Sequence, residues 1–191
     1  MDADHPGPVL EPGTLLIAGV LLSDGVFDGS VVVLIDADES GALGVVLNRF
    51  TAFELGDALP GWENLASFPH RLHYGGPVSP EGAICLAALV DDAEDHPGWR
   101  RLFGSVGLLH LQTPVELADG AFRGLRIFAG YAGWGPGQLE AELAQNTWHV
   151  ARATDADIFD PDPETLWRRV LARQGGELGW LSTWTSTPEL N

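Results

Sequence analysis

Residues 124–148, GLRIFAGYAGWGPGQLEAELAQNTW, constrain the fold more than any other stretch of the chain. Leu125, Ile127 and Ala129 alternate with Arg126 and Phe128, which is the period of a β-strand. A glycine-rich corner follows, and then a helix with Leu139 and Leu143 four apart on one face. Pro136 suits the first helical position, where its missing N–H has no intrahelical partner to lose. A strand, a glycine corner and a helix can cradle an anion, or can simply turn the chain tightly. The spacing decides against the common phosphate loops. Gly133-Trp134-Gly135-Pro136-Gly137-Gln138 is too compact for a dinucleotide fingerprint and puts Gln138 where its last glycine belongs. A Walker-type loop needs a lysine, and the chain has none. Pro136 also removes a donor that an anion would use, so packing and turning is the favoured reading.

Length and charge narrow the field further. With 191 residues the chain suits one large domain, able to bury a core without disulfide or metal staples. Twenty-seven acids face ten bases, all arginine, for a net charge of −17. Phosphate attraction dominates nucleic-acid affinity, so this balance argues against direct binding to DNA and to anionic lipid. The single cysteine, Cys85, excludes an intrachain disulfide and multi-cysteine zinc sites. The first residues lack the basic and apolar regions of a signal peptide, and no apolar run reaches membrane-spanning length. A cytoplasmic location is the expectation.

Taken in order, residues 1–12 read as a mobile lead-in, 13–175 as one domain and 176–191 as an irregular C-terminal tail. Residues 30–36, SVVVLID, form a β-branched run expected of a strand covered on both faces, and residues 42–47, ALGVVL, pair with it as a buried hairpin. Residues 53–62 suggest short helical turns, 71–74 a brief strand, Gly75-Gly76-Pro77 a hard turn, and 83–89 a buried strand. Residues 91–104, acidic and broken by His96-Pro97-Gly98, read as an exposed loop. Strands are expected over 106–111 and 148–153. Asp162 and Pro163 mark the start of a helix with Leu166, Trp167, Val170 and Leu171 inward, and Gly175 ends it. Arg168, Arg169 and Arg173 fall on its outer face and last turn.

No catalytic constellation emerges. Cys85 lies in an apolar strand with no base nearby, and no serine sits on a strained strand-to-helix elbow. The six histidines are scattered; His70 and His73, the nearest pair, would face opposite sides of a strand, so no metal site is expected. No cofactor is implied. Arg49 stands out because it follows a buried strand directly, where open sheets place ligands. Its guanidinium can meet an acidic ligand or an internal carboxylate, with the internal partner preferred.

Several separated pieces resemble one family. They are GTLLIA from Gly13, SVVVLID from Ser30, GALGVVLNR from Gly41, YGGPV from Tyr74, GYAGWGPGQLE from Gly130, Asn146-Thr147-Trp148 and the segment from Phe159 to Trp167. Together they resemble the AlgH/YqgE family of bacterial proteins across nearly the whole chain, except for residues 91–104 and the tail. The resemblance implies a single α+β domain with a mixed, partly barrel-like sheet flanked by helices. Family members are described as transcriptional regulators, and the resemblance brings no catalytic residues. Combined with the charge, it leads to a cytosolic regulatory or interaction protein, non-catalytic and acting through a protein partner or a small ligand. The alternative is a small-ligand domain or enzyme whose site joins Asn48, Arg49, Gly75, Gly76, Pro77, Trp134, Gly135, Gly137 and Gln138, and whose ligand is a small anion facing Arg49.

Overall fold

The computed structural model describes residues 8–91 and 95–183. Its backbone is one ten-stranded sheet, curled into a half-barrel, with short helices packed on it. The strands are β1 Thr14–Ala18, β2 Val31–Asp38, β3 Gly41–Val46, β4 Phe50–Glu54, β5 Arg71–Tyr74, β6 Val78–Leu89, β7 Trp99–Phe103, β8 Val106–Leu109, β9 Phe122–Trp134 and β10 Trp148–Arg152. The helices are α1 Leu55–Ala58, α2 Val115–Ala118, α3 Gln138–Ala144, α4 Asp155–Ile158, α5 Leu166–Gln174 and α6 Gly176–Leu181. The main strand order is β10-β1-β2-β3-β9-β6-β8-β7, with β5 beside β9 and β4 beside β5. Every pairing is antiparallel except β5 with β9, which makes the sheet mixed.

The apolar runs become the strands covered on both faces. Leu15, Ile17, Val31, Val33 and Ile35 join Phe128, Ile158, Leu166, Val170 and Leu171 on the α5 side. Their neighbours Leu16, Ala18, Val32 and Leu34 face the opposite way, against Trp134, Leu139 and Trp148. A third cluster lies under α1 and holds Leu55, Trp62, Cys85, Leu125 and Ile127. Alternate residues of one strand thus feed two different cores, as the two-residue period requires.

The longest strand, β9, organises the rest. Its first part lies between β6 and β5, and its last residues pair with β3 through Ala42 opposite Trp134. The change of neighbour from β5 to β3 happens at Gly75-Gly76. The Gly75 N–H donates to the Ala129 carbonyl, and the Gly75 carbonyl accepts from the Val46 N–H. A Cβ on Gly75 would stand 2.2 Å from the Gly130 oxygen, and one on Gly76 would stand 2.1 Å from the Tyr131 carbonyl carbon. Only glycine allows that approach. The expected hard turn at 75–77 is therefore a junction inside the sheet, with the chain bending at Pro77.

Other expectations are corrected locally. The hairpin turn is shorter than expected, because β2 continues to Asp38 and β3 begins at Gly41. Residues 99–103 form β7, an edge strand, inside the stretch read as a loop. β4 takes up the first two residues of 53–62, and the helical turns expected there follow as α1 and a 3₁₀ turn over Trp62–Asn64. Pro136 lies in the turn before α3, whose first residue is Gln138 after Gly137 at φ +72°. The Asp162 side chain caps no backbone N–H; it accepts from the Thr165 hydroxyl at 2.9 Å, and a 3₁₀ turn over Pro163–Thr165 leads into α5. Gly175 ends α5 as expected, at φ +68°, but the chain continues as α6 where an irregular tail was read. At the other end Leu10 packs against the cluster that holds Trp134 and Trp148 and Glu11 pairs with Arg152, whereas residues 1–7 of the lead-in lie outside the described residues. Residues 184–191 of the tail lie outside them as well.

Candidate functional site

Helix α3 has two working sides, and they differ in character. On the first, Glu142 gathers the polar groups of the glycine corner. Its Oε2 accepts from the indole N–H of Trp134 at 3.0 Å and of Trp148 at 2.8 Å. Its Oε1 accepts from Gln138 Nε2 at 3.0 Å, and Gln138 Oε1 in turn accepts from the Gly135 N–H at 3.0 Å. The two indoles meet edge to face at 6.0 Å between ring centres, and Phe27 closes the cluster at 5.7 Å from Trp148 and 6.5 Å from Trp134. Trp134 is 6% exposed, so it is buried at the bend and not displayed there. A charged acceptor satisfying two buried N–H donors is a strong local tie.

The second side of α3 is open. Leu143 and Ala144, with Leu10, Trp148, Val150 and Leu178, line a largely apolar hollow of about 480 Å³. Pro8, Leu10 and Glu140 also border a neighbouring hollow of about 310 Å³ that runs to Asp38 and Glu39 on the β2–β3 hairpin and to Gly135. Hydrogen bonds from the Ser40 hydroxyl, then from the Ser40 backbone, hold the Asp38 carboxyl below its ordinary range, so it is ionised at neutral pH. Burial lowers the His149 pKa and keeps that ring neutral beside the apolar hollow.

The residues singled out in the sequence fall into separate places. Asn48 Oδ1 accepts from the Val31 N–H at 2.9 Å, and its Nδ2 donates to the Gly29 carbonyl at 2.9 Å. Arg49 meets Asp28, with an ion-pair distance of 3.3 Å and a further bond to the Asp28 carbonyl. Asn48-Arg49 and Gly75-Gly76-Pro77 are neighbours, since the Tyr74 N–H donates to the Arg49 carbonyl at 2.9 Å. Trp134, Gly135, Gly137 and Gln138 belong to the opposite end of β3, because Trp134 pairs with Ala42. β3 runs on from Ala42 to Val46, about 13 Å at strand rise, before the chain bends at Leu47 and Asn48. The first two segments come together, and Gly76 in turn abuts Tyr131 and Ala132, just before Trp134, so the glycine turn lies between Asn48-Arg49 and the corner; Trp134 itself is tied to Glu142, and Gly135 borders the smaller hollow.

Two buried polar residues carried no sequence signal as a pair. Arg126 is 1% exposed; its Nη1 donates to the Ile158 carbonyl at 3.0 Å, and its Nη2 to the carbonyls of Phe68 at 2.8 Å and Asp160 at 2.9 Å. Burial lowers its pKa to about 10, with Asp160 opposing the shift, so the guanidinium stays charged at neutral pH. His73 is sandwiched between Phe50 at 4.8 Å and Phe128 at 5.5 Å. Burial, then the charge of Arg126, lowers its pKa to about 3. An arginine at an alternating position of a strand reads as solvent-facing, and nothing local marks the three distant carbonyls that it meets. Cys85 is 1% exposed, and burial pushes its thiol far above the ordinary range. Among the described residues no three His, Cys, Asp or Glu side chains converge as a metal-binding group.

Comparison with known proteins gives a consistent picture. The profile of a family described as AlgH-like matches residues 15–179. A UPF0301 protein of Streptomyces avermitilis is 48% identical over 94% of both chains, and one of Thermobifida fusca is 43% identical at the same coverage. Among solved structures, the crystal structure of a Corynebacterium diphtheriae protein matches with a TM-score of 0.87 at 28% identity, covering 93% of this chain and 94% of that one. The solution structure of the AlgH protein from Pseudomonas aeruginosa matches with a TM-score of 0.68 at 27% identity, covering 97% and 99%.

Proposed function

The chain belongs to the AlgH-like family, and from that premise and its surface chemistry we propose that it is a non-catalytic regulatory or interaction protein that works through a partner protein and not through direct contact with DNA. The observation that carries this reading is the fate of the arginines. Arg49, Arg71, Arg123, Arg152, Arg169 and Arg173 lie in ion pairs with acids of the same chain. Arg126 is buried, Arg168 donates to the Ser182 carbonyl and Arg101 to the Gly104 carbonyl. Nine of the ten basic side chains thus have a partner within the fold, on a chain of net charge −17. Phosphate contacts need a free basic surface.

Two further features support the reading. Cys85 is sealed in the core as a neutral thiol, and His73 is enclosed by aromatic rings, so neither is placed for chemistry on a substrate. No helix among the described residues is long and apolar enough to cross a membrane, which suits the cytoplasmic location we propose with this role. The second reading, a small-ligand site, is favoured by one observation, the apolar hollow beside α3, and there its residues would be Leu143, Ala144, Trp148 and Val150 in place of Asn48 and Arg49.

Two measurements test the role. Fluorescence anisotropy with a labelled duplex DNA at low salt should show no binding into the tens of micromolar, about the non-specific range of ordinary DNA-binding proteins. Salt-sensitive binding would overturn the proposal. Native mass spectrometry of the protein isolated from its own cells should show a bound polypeptide; a bound small molecule would favour the second reading.

A further inference from the structure

We propose that the two hollows along α3 form one groove that holds a basic, apolar-anchored polypeptide segment of the partner protein. The inference rests on the reading of the chain as an interaction protein and adds the place and the chemistry of the contact. The hollows share Pro8, Leu10 and Glu140 as a common wall, so one ligand can run through both. The larger is lined by Leu143, Ala144, Trp148 and Leu178 and fits an apolar side chain. The smaller has an apolar floor, Ala42 and Leu139, beneath the carboxylates of Asp38, Glu39 and Glu140. A lysine or arginine lays its methylenes on such a floor and places its cation at the rim.

Charge selects the occupant. None of the ion pairs among the described residues reaches Asp38, Glu39 or Glu140, and no arginine lines either hollow. Asp36 stands just beyond, in a shallower recess that also contains Asp38 and Trp134. A second copy of this acidic chain would bring like charge to the same rim, whereas a cationic segment is attracted to it. A compact small molecule fills one hollow and leaves the other empty. An extended segment fills both and lies beside β10, the outermost strand on this side of the sheet.

The test is a selection of random twelve-residue peptides displayed on phage, run in parallel on the wild-type protein and on the Ala144→Trp variant, which fills the larger hollow. Thermal melting shows first that the variant is folded; where it is not, Leu178→Glu takes its place. Selected peptides are expected to combine lysine or arginine with large apolar residues and to bind the variant at least about tenfold more weakly. The pair Asp38→Asn with Glu39→Gln should weaken them about threefold, more at low salt than at high. Peptides without cationic enrichment, or peptides that bind Ala144→Trp as well as wild type, overturn the groove while leaving the interaction role standing. A dimer seen by sedimentation that Ala144→Trp dissolves also overturns it, since the occupant is then a second copy. Binding of DNA, by contrast, removes the interaction reading itself.

Discussion

β9 carries a buried polar centre near each end, and the two are built in opposite ways. At its end, Trp134 donates to Glu142, which also accepts from Trp148 and Gln138, all within fifteen residues of chain. Near its start, Arg126 reaches carbonyls of Phe68, Ile158 and Asp160, which are remote in sequence. The first centre has a partner for each indole N–H. The second leaves Arg126 Nε and the nearby His73 Nε2 buried without partners among the described residues. A local centre can be completed by a few well-spaced side chains. A long-range centre must accept whatever geometry two remote segments provide, Phe68 ahead of β5 and residues 158–160 at the end of α4, and it holds those segments together in return.

Arg126 is the most sensitive position of the two centres. Arg126→Leu leaves three carbonyls without their donor and should cost about 4 kcal/mol, measured by urea denaturation. Arg126→Lys should recover only part of this, because an ammonium cannot reproduce the planar fork. Glu142→Ala strands two indole donors and should cost about 2–3 kcal/mol by the same measurement. An equal loss at both centres would mean that locality makes no difference.

His73 makes the second centre sensitive to pH. Its native pKa of about 3 lies below the ordinary 6.5, so below pH 6.5 the unfolded chain takes up a proton that the native state refuses. Stability contributed by the neutral ring is therefore complete above pH 6.5 and is lost as pH falls toward 3. Denaturation between pH 6 and 4 should show a slope of roughly 1 kcal/mol per pH unit from this group, and His73→Phe should remove it. The smallest effect belongs to Arg49. Its ion pair with Asp28 is partly exposed, so Arg49→Ala should change stability by about 1 kcal/mol or less.

The same distinction explains what could be read from the chain. The buried hairpin of β2 and β3, the apolar half of β6 and helix α5 were legible because their burial is written in consecutive side chains. β7 was not. Its sequence WRRLF puts Arg100 and Arg101 on an exposed edge, where charge suits a strand with one free side but hides the strand's apolar signal. β4 is exposed over Ala52, Phe53 and Glu54 for the same reason. The segment from Gly130 to Trp148 was legible as a corner, and the roles of Glu142 and Gln138 follow from helical spacing once the two indoles are placed. The two hollows of the proposed groove could not be read, because they join residues near positions 8–10, 37–42, 135–150 and 178, which only the folded sheet brings together.

The glycine corner holds the fold through Glu142, and the proposed partner is left the groove along the other side of α3. Hydrogen exchange at the indole N–H groups of Trp134 and Trp148, followed by NMR in the wild-type protein and in Glu142→Gln, tests the Glu142 tie directly. Both indole protons should exchange slowly in the wild type, and at least one should exchange faster in the variant, since a single amide oxygen replaces a charged acceptor. Fast exchange of both in the wild type, or rates untouched by the substitution, would show that Glu142 does not hold the indoles and that they are free donors at an open site.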